Sequence, residues 1–243
     1  MPNSPMDGAW WVDSATQSLL DYGCNVGESL ADLAAHFPSL RLAGVDINPL
    51  AVARARQAVP GADIRLIDGP RLPFADEAFD AITCIEVLEH VPVADRASAI
   101  AEMRRVLKVG GRLILRCPHA GAFSFLDPDN LRFRFPRLYG RLIGGGRRDA
   151  AYADGVKWHD HFRETDLLSL AGAGFAHETT RYGGLFLFPL GGWLAWPFYR
   201  TSRYDHPALR AIQRVMNWDI ARAYGRASYC ILIILRKLPP ASA

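Results

Sequence analysis

The sequence predicts an α/β fold, in which a doubly wound, mostly parallel sheet of seven strands has helices on both faces and an antiparallel last strand. Short apolar runs alternate with amphipathic stretches from residue 18 to about residue 117, which is typical of successive strand–helix units. Half of the residues are hydrophobic and 22% are charged, as expected of a chain that buries a core. A length of 243 residues is near the upper limit for one core, so we expect a single domain over residues 1–243.

Seven segments have the length and composition of buried strands. Each is short, rich in Ile, Leu and Val, and bounded by Gly, Asp, Pro or charged residues. The predicted strands are Ser18–Tyr22, Arg41–Val45, Ile64–Ile67, Ala81–Ile85, Arg112–Cys117, Phe175–Arg181 and Tyr229–Leu235.

Apolar residues at three- and four-residue spacing predict the helices. The third helix should end at Lys108, ahead of Gly110 and Gly111, and the fourth should have Thr165 as N-cap and Gly174 just beyond its end. The predicted helices are Glu28–Phe37, Ala51–Val59, Asp95–Leu107 and Asp166–Ala173.

Composition narrows the classes of function. The 28 Lys and Arg residues against 25 Asp and Glu leave a net charge of +3, too small to indicate nucleic-acid binding by bulk charge. Cys24, Cys84, Cys117 and Cys230 form no C-x-x-C pair, so we expect no metal site and no disulfide framework, but reduced thiols in the cytoplasm. The N-terminus lacks the basic start and apolar stretch of a secretory signal.

The strongest local signal is the run from Leu19 to Glu28, where a predicted strand leads through a glycine-bearing turn into a helix. Gly23 and Gly27 allow a ligand to approach the backbone closely, and Asn25 tolerates a left-handed conformation. A tight turn that binds no ligand is the alternative.

Acidic residues lie at the ends of the first three predicted strands and favour a nucleoside cofactor. They are Asp21, Asp46 and Asp68. Asp46 ends the second strand, where a doubly wound fold places a ribose-binding carboxylate, and Asp68 follows the third. Alone, either is equally a helix cap or loop residue. Asn25 and Glu28 occupy glycine positions of the dinucleotide-binding G-x-G-x-x-G turn. Together with Asp21, Glu28 disfavours a pyrophosphate and favours a ligand that carries an ammonium and a sulfonium.

These segments resemble the successive cofactor motifs of the class I S-adenosylmethionine-dependent methyltransferases, and are most similar to the small-molecule group called methyltransferase type 11. The resemblance covers roughly residues 18–118, and Asn25 departs from it because many relatives have glycine there. The motifs are Asp21-x-Gly23-Cys24-x-x-Gly27, Gly44-Val45-Asp46-Ile47, Asp68-Gly69, Leu72-Pro73-Phe74, Phe79-Asp80-Ala81-Ile82, Glu86-Val87-Leu88-Glu89-His90-Val91 and Arg104-Arg105-Val106-Leu107-Lys108-Val109-Gly110-Gly111.

The resemblance implies a Rossmann-like fold with S-adenosylmethionine as cofactor, and it implies a role for each matching position. It places the methionine part near Asp21, Gly23, Cys24 and Gly27, the ribose on Asp46, the adenine near Asp68, packing and backbone contacts at Ile47 and Gly69, and the methyl-donor end near Glu86.

Methyl transfer needs alignment above all, and a base only when the acceptor is weakly acidic. Predicted catalytic residues are Glu86, His119 and His90; His119 follows the fifth strand, and His90 lies one turn from Glu86 if that segment is helical. His159 and His161 are further possible bases, although packing or capping histidines explain them as well. As a pair, His159 and His161 could begin a metal site, but the sequence shows no third ligand at a suitable spacing.

Two insertions are expected to cover the acceptor. Ala120–Lys157 mixes arginines with aromatics and suits an anionic acceptor, while a solvated basic face and RNA binding are the alternatives. In Gly183–Arg226, the aromatics of Leu185–Tyr199 and an amphipathic helix over Ala208–Tyr224 suit peripheral contact with a membrane through residues 185–226. Packing onto the domain or a second subunit explains them equally.

The function predicted from the sequence is in-line methyl transfer from S-adenosylmethionine to a small-molecule, lipid or glycan acceptor. No nucleic-acid partner is expected, since neither adenine nor cytosine methyltransferase motifs occur. A nicotinamide-dependent oxidoreductase and a non-catalytic S-adenosylmethionine-binding scaffold are the alternatives. The oligomeric state does not follow from the sequence.

Overall fold

The computed structural model describes residues 6–127, 130, 160–201 and 206–240, and it confirms the predicted sheet. The seven strands lie in the order β3-β2-β1-β4-β5-β7-β6. β7 is antiparallel to both of its neighbours, while β1 to β5 pair in parallel. The strands are β1 Ser18–Tyr22, β2 Arg41–Asp46, β3 Asp63–Leu66, β4 Phe79–Ile85, β5 Leu107–Pro118, β6 Phe175–Gly183 and β7 Cys230–Lys237.

Helices cover both faces of this sheet. Helices α3 and α4 pack over one core, which includes Ile82, Leu113 and Ile233. On the other face, α1 and α2 cover Leu19, and the N-terminal residues with α6 cover Ile114. The helices are α1 Glu28–His36, α2 Pro49–Ala58, α3 Val93–Val106, α4 Glu164–Ala171, α5 Leu187–Arg200 and α6 Pro207–Ile220.

The predicted end of the third helix at Lys108 is wrong. Helix α3 stops at Val106, and Leu107 already has extended angles and pairs with Phe79. The extended pairing with β4 replaces the last helical turn, so Lys108 lies in β5. Its ammonium forms an ion pair with Asp80 at 2.6 Å.

The caps predicted for the fourth helix are also wrong. Arg163, not Thr165, is the N-cap, and its N–H donates to Asp166 Oδ2 at 2.8 Å, as in a capping box. Helix α4 ends earlier than predicted because Gly172, with a φ of 65°, stops it ahead of Gly174.

Most of the apolar run from Leu185 is helical, as α5, although it contains two prolines and two glycines. Pro189 falls in the first turn of α5, where proline is tolerated. Gly191 allows α6 to pack closely, since a Cβ there would lie 2.2 Å from Met216 Cγ. Helix α6 ends at Ile220, four residues before the predicted end. Among the described residues, no helix is long and apolar enough to cross a membrane.

Candidate active site

The predicted site residues follow neighbouring strands along one edge of the sheet. The turns after β1 to β5 leave the carboxyl ends of parallel strands, and the strand order reverses between β1 and β4. Ligands of open α/β sheets bind outside the carboxyl ends at such a reversal. A Cβ on Gly23, after β1, would lie 2.4 Å from Cγ2 of Val87, after β4. The two turns are therefore packed directly together.

The turn between β1 and α1 has a left-handed backbone at three positions. The φ angle is 82° at Gly23, 47° at Asn25 and 88° at Gly27, which confirms the conformation expected of Asn25. Gly27 is the N-cap of α1 and offers no side-chain acceptor to the first N–H groups of that helix. The turn therefore presents backbone rather than side chains for close approach by a ligand.

Asp46 ties this turn to the following one. Its Oδ2 accepts a hydrogen bond from the Asn25 N–H at 2.9 Å, and its Oδ1 accepts one from the Asn48 N–H at 2.8 Å. Asn48 caps α2 by accepting from the Leu50 N–H at 3.0 Å. Because each carboxylate oxygen has a second lone pair, Asp46 is held in place and keeps acceptor capacity for a diol.

Asp21 is a buried carboxylate whose hydrogen-bond donor is a neutral side chain. The residue is 4% exposed, and its Oδ1 accepts from the Thr83 hydroxyl at 2.8 Å. Burial raises the pKa of Asp21 to about 6; the Thr83 bond opposes this rise, and the charge of Asp46 adds to it. A buried carboxylate in such surroundings is stabilised in its charged form by a positive ligand, which fits a cofactor with an ammonium and a sulfonium.

Three other predicted cofactor residues lie on open surface. Ile47 is 60% exposed, Asp68 is exposed, and a Cβ on Gly69 would meet nothing within 4 Å. Their assignment to the cofactor stays a prediction. Cys24 is buried instead, and its Sγ would lie 2.9 Å from a Cβ on Gly44. Burial raises the pKa of the Cys24 thiol, so this side chain packs beneath the turn as a neutral group.

Glu86 directly follows β4 with a φ of 55°. This conformation costs a non-glycine residue about 1–3 kcal/mol, and such residues cluster at functional sites. Glu86 Oε1 accepts from Arg116 Nε at 2.9 Å, and Arg116 Nη1 donates to the Met6 carbonyl at 2.8 Å. Although burial opposes it, the Glu86 carboxylate raises the pKa of Arg116. The ion pair thus fixes Glu86 and anchors the N-terminal segment.

Glu89 lies beside Glu86 and is 1% exposed. Burial, followed by the charge of Glu86, raises the pKa of Glu89 well above its usual range. Sequence reasoning missed Glu89 and Arg116 as site residues. The available signals were a second acid three residues after Glu86 and a cation inside the apolar strand Arg112–Cys117.

His90 does not lie one helical turn from Glu86. The residues after Glu86 form a turn, in which the His90 N–H donates to the Val87 carbonyl at 2.9 Å, and α3 begins only at Val93, after Pro92. His90 is exposed. The catalytic role of His90 stays a prediction, but the helical spacing from Glu86 on which it was based is not present.

His119 lies at the carboxyl edge directly after β5, as expected. It is 5% exposed, its Nδ1 is 2.9 Å from the Ser228 carbonyl oxygen, and its ring lies edge-on to Tyr182 at 5.1 Å. Burial lowers the pKa of His119, although the hydrogen bond to Ser228 opposes this. His119 is therefore a firmly held ring between the end of β5 and the start of β7, and burial disfavours its charged form.

A second histidine lies at the same edge beside a buried carboxylate. His161 Nε2 is 3.2 Å from Asp127 Oδ2, with the side chains 12% and 1% exposed. The His161 ring lies 6.0 Å from that of Tyr229. The sequence offered His161 as a possible base but contained no signal for Asp127.

Several predicted features lie outside the described residues. Among them are most of the first insertion with its arginines, and His159, which follows that insertion. The side chains of Tyr199 and Arg200 also lie outside the description.

Comparison with known proteins places these features in a family. Residues 20–115 match the family model described as "Methyltransferase domain". A ubiquinone/menaquinone biosynthesis C-methyltransferase from Desulfotalea psychrophila is 32% identical over 168 residues, which cover 67% of each chain. A ubiquinone biosynthesis O-methyltransferase from Pseudomonas aeruginosa is 35% identical over 145 residues, which cover 52% of this chain and 59% of that protein. The chain thus spans about two thirds or less of these relatives.

A solved structure shares the fold over nearly the whole chain. The putative sarcosine dimethylglycine methyltransferase from Galdieria sulphuraria superposes with a TM-score of 0.59 at 18% identity, covering 91% of this chain and 78% of that one. The likeness therefore includes the α5–α6 region as well as the segment matched by the family model.

Proposed function

The chain belongs to the class I S-adenosylmethionine-dependent methyltransferases, and from this premise we propose that it methylates a small, apolar, hydroxyl-bearing acceptor. Its cofactor is S-adenosylmethionine. The observation that carries the cofactor side of the proposal is Asp21, a buried carboxylate whose hydrogen-bond donor is the neutral Thr83 hydroxyl, next to the left-handed turn of Gly23, Asn25 and Gly27. The acceptor side rests on exposed apolar side chains at and before α5. This arrangement suits a ligand that brings positive charge to a closely approached backbone.

On the cofactor side, each predicted residue has a proposed task. Asp21, with the turn from Gly23 through Cys24 to Gly27, holds the methionine part, and Asp46 accepts from the ribose. Ile47 and Asp68, which are exposed, and half-buried Gly69 line the adenine end, as expected from their place after β2 and β3.

On the acceptor side, the protein aligns two reactants and excludes water. The bound cofactor supplies a methyl carbon activated by its positively charged sulfur. Glu86, fixed by Arg116, borders the reacting groups next to β4. When the acceptor is a hydroxyl, its proton passes to a side chain at this edge, where both His119 and His161 lie.

The exposed surface of α5 supports an apolar acceptor. Phe186, Leu190 and Leu194, which we call the apolar stripe, are spaced by four residues and are 40%, 41% and 55% exposed. The Phe186 ring lies 5.7 Å from that of Phe123, which extends the stripe toward the loop after β5. Two relatives are named for steps in ubiquinone and menaquinone biosynthesis, and quinone-type rings with apolar tails fit such a surface.

The same stripe supports our proposal of peripheral membrane contact for a cytoplasmic protein. Helix α5 has an outward side, which carries the stripe, and an inward side. On the inward side, Trp193 donates its indole N–H to the Leu126 carbonyl at 2.7 Å. Met216 of α6 likewise packs against α5. Exposed Arg210 and Arg214 on α6 add the positive charge that favours an anionic bilayer.

The experiment is a methyl-transfer assay with methyl-labelled S-adenosylmethionine. The acceptors are a catechol with a geranyl tail, the same catechol without a tail, and a sugar alcohol. Label in the organic phase, with preference for the tailed catechol, is expected. Preference for the sugar alcohol would overturn the apolar acceptor. A chain that binds S-adenosylhomocysteine but methylates none of them would favour the non-catalytic alternative.

A further inference from the structure

We propose that the base that takes the acceptor's proton is His161, whose Nε2 lies 3.2 Å from the Asp127 carboxylate, and not His119. This inference rests on the proposed function, because it concerns the acceptor side of the same site. It assigns a catalytic role to His161 and a positioning role to Asp127.

The side chain of His161 points away from those of its two sequence neighbours, Asp160 and Phe162. Asp160 forms an ion pair with Arg96 at 2.5 Å, and Phe162 is buried in the α3–α4 core with Arg96 over its ring. Side chains alternate along an extended segment, so His161 between them faces the other side. There its ring approaches that of Tyr229.

Glu86 lies on the same side of the sheet as the His161 ring. Cys230, next to Tyr229, has its Sγ 4.0 Å from Glu86 Oε1. Asp127 contributes, after burial and Glu86, to raising the pKa of the Cys230 thiol. Glu86, Cys230, Asp127 and His161 therefore form one neighbourhood at the carboxyl ends of β4 and β5 and the start of β7.

Asp127 gives His161 what His119 lacks, a carboxylate beside its ring. A base that gains a proton becomes an imidazolium, which a neighbouring carboxylate stabilises and orients, as in a Ser-His-Asp triad. The nearest polar partner of His119 is the Ser228 carbonyl, and burial lowers its pKa. The charge of Glu164 opposes this lowering, but the Glu164 carboxylate already accepts hydrogen bonds from the hydroxyls of Thr180 and Tyr182. A positive charge is therefore less favourable on His119.

The step balances without a further reactant. The acceptor O–H bond breaks and its proton goes to His161. The oxygen's electron pair forms the bond to the methyl carbon, and the pair of the breaking C–S bond stays on sulfur. Products are the methyl ether, S-adenosylhomocysteine and imidazolium, which then returns the proton to water.

The contact between His161 and Asp127 is tested first, without any acceptor. In the complex with S-adenosylhomocysteine, nitrogen-15 NMR of the histidine rings should show a slowly exchanging Nε2–H of His161. The signal is assigned by its loss in His161→Gln and should also disappear in Asp127→Asn, while the ring signals of His119 persist. A His161 ring whose Nε2–H exchanges freely, or is unchanged in Asp127→Asn, overturns the proposal.

The catalytic role is tested with the geranyl-tailed catechol as probe. His161→Gln should lower kcat about 100-fold or more, the range of a lost general base, with the KM of the probe and S-adenosylhomocysteine affinity nearly unchanged. His36→Gln, an exposed histidine on α1 outside the site, is the matched control and should keep the wild-type kcat. A kcat that is unchanged in His161→Gln but lowered about 100-fold in His119→Gln overturns the proposal. If wild type binds S-adenosylhomocysteine but leaves the probe unmethylated, the proposed class of acceptor is wrong. The nitrogen-15 signals of the His161 ring then decide whether Asp127 positions His161.

Discussion

The carboxylate of Asp46 accepts a hydrogen bond from the Asn25 N–H at 2.9 Å. This bond joins the end of β2 to the centre of the left-handed turn after β1, so it ties together two parts of the proposed cofactor site. In that proposal Asp46 has two functions, since it shapes the turn and accepts from a ribose.

The substitution Asp46→Ala should weaken S-adenosylhomocysteine binding by about 1.5–3 kcal/mol, the range for hydrogen bonds to a charged group. Loss of the bonds to Asn25 and Asn48 should also lower the free energy of unfolding by about 1–3 kcal/mol. Calorimetric titration and urea unfolding measure the two effects. Asp46→Asn, which keeps one acceptor oxygen, should lie between. Unchanged affinity in a folded Asp46→Ala protein would rule out the ribose assignment.

Titration of Asp21 should make the stability of the ligand-free protein depend on pH. Its pKa is raised to about 6 in the folded protein, against about 3.9 in unfolded chains. The stability it contributes is complete well below the unfolded pKa and is lost as pH rises through 6. The difference in unfolding free energy between wild type and Asp21→Asn should therefore fall by about 2 kcal/mol from pH 4 to pH 7. Parallel stability profiles for the two proteins would contradict this account.

The same titration should control cofactor affinity. Above pH 6 the Asp21 carboxylate is charged and attracts the ammonium of the ligand, so S-adenosylhomocysteine should bind more tightly at pH 7.5 than at pH 5. Asp21→Asn should show a weaker and flatter affinity profile by calorimetry. A wild-type affinity that does not change across this range would exclude contact with the ammonium.

Glycine is required at position 23 but not at position 61. Gly23→Ala should destabilise the protein by more than about 2 kcal/mol, because it combines a left-handed φ with a Cβ 2.4 Å from Val87. Gly61→Ala, where a Cβ would meet nothing within 4 Å, is the control and should stay within about 0.5 kcal/mol of wild type. Thermal unfolding compares them. Equal unfolding temperatures would refute the packing of the two turns.

The apolar stripe should bind vesicles that contain anionic lipid. Co-sedimentation of wild type is expected to exceed that of Leu190→Glu combined with Leu194→Glu several-fold, with similar unfolding temperatures because both side chains are exposed. Trp193→Ala should instead lose stability, since the indole is bonded to Leu126. Wild-type protein that stays in the supernatant with both anionic and neutral vesicles would end the membrane proposal.

Sequence patterns predicted the sheet well because buried strands carry their signal locally, as Ser18–Tyr22 shows by matching its prediction. The boundary at Leu107 depended on pairing with Phe79, a contact between distant residues that no local pattern encodes. The same limit explains the site. Asp21, Asn25 and Asp46 belong to short motifs beside strand ends, whereas Arg116 and Asp127 become site residues only through contacts made by the folded chain.

Calorimetric titration of the purified protein with S-adenosylhomocysteine and, separately, with NAD tests the central claim most directly. The left-handed turn, buried Asp21 and acidic Glu28 predict binding of S-adenosylhomocysteine and no measurable heat with NAD. Tight binding of NAD, with no response to S-adenosylhomocysteine, would contradict the assignment of this site.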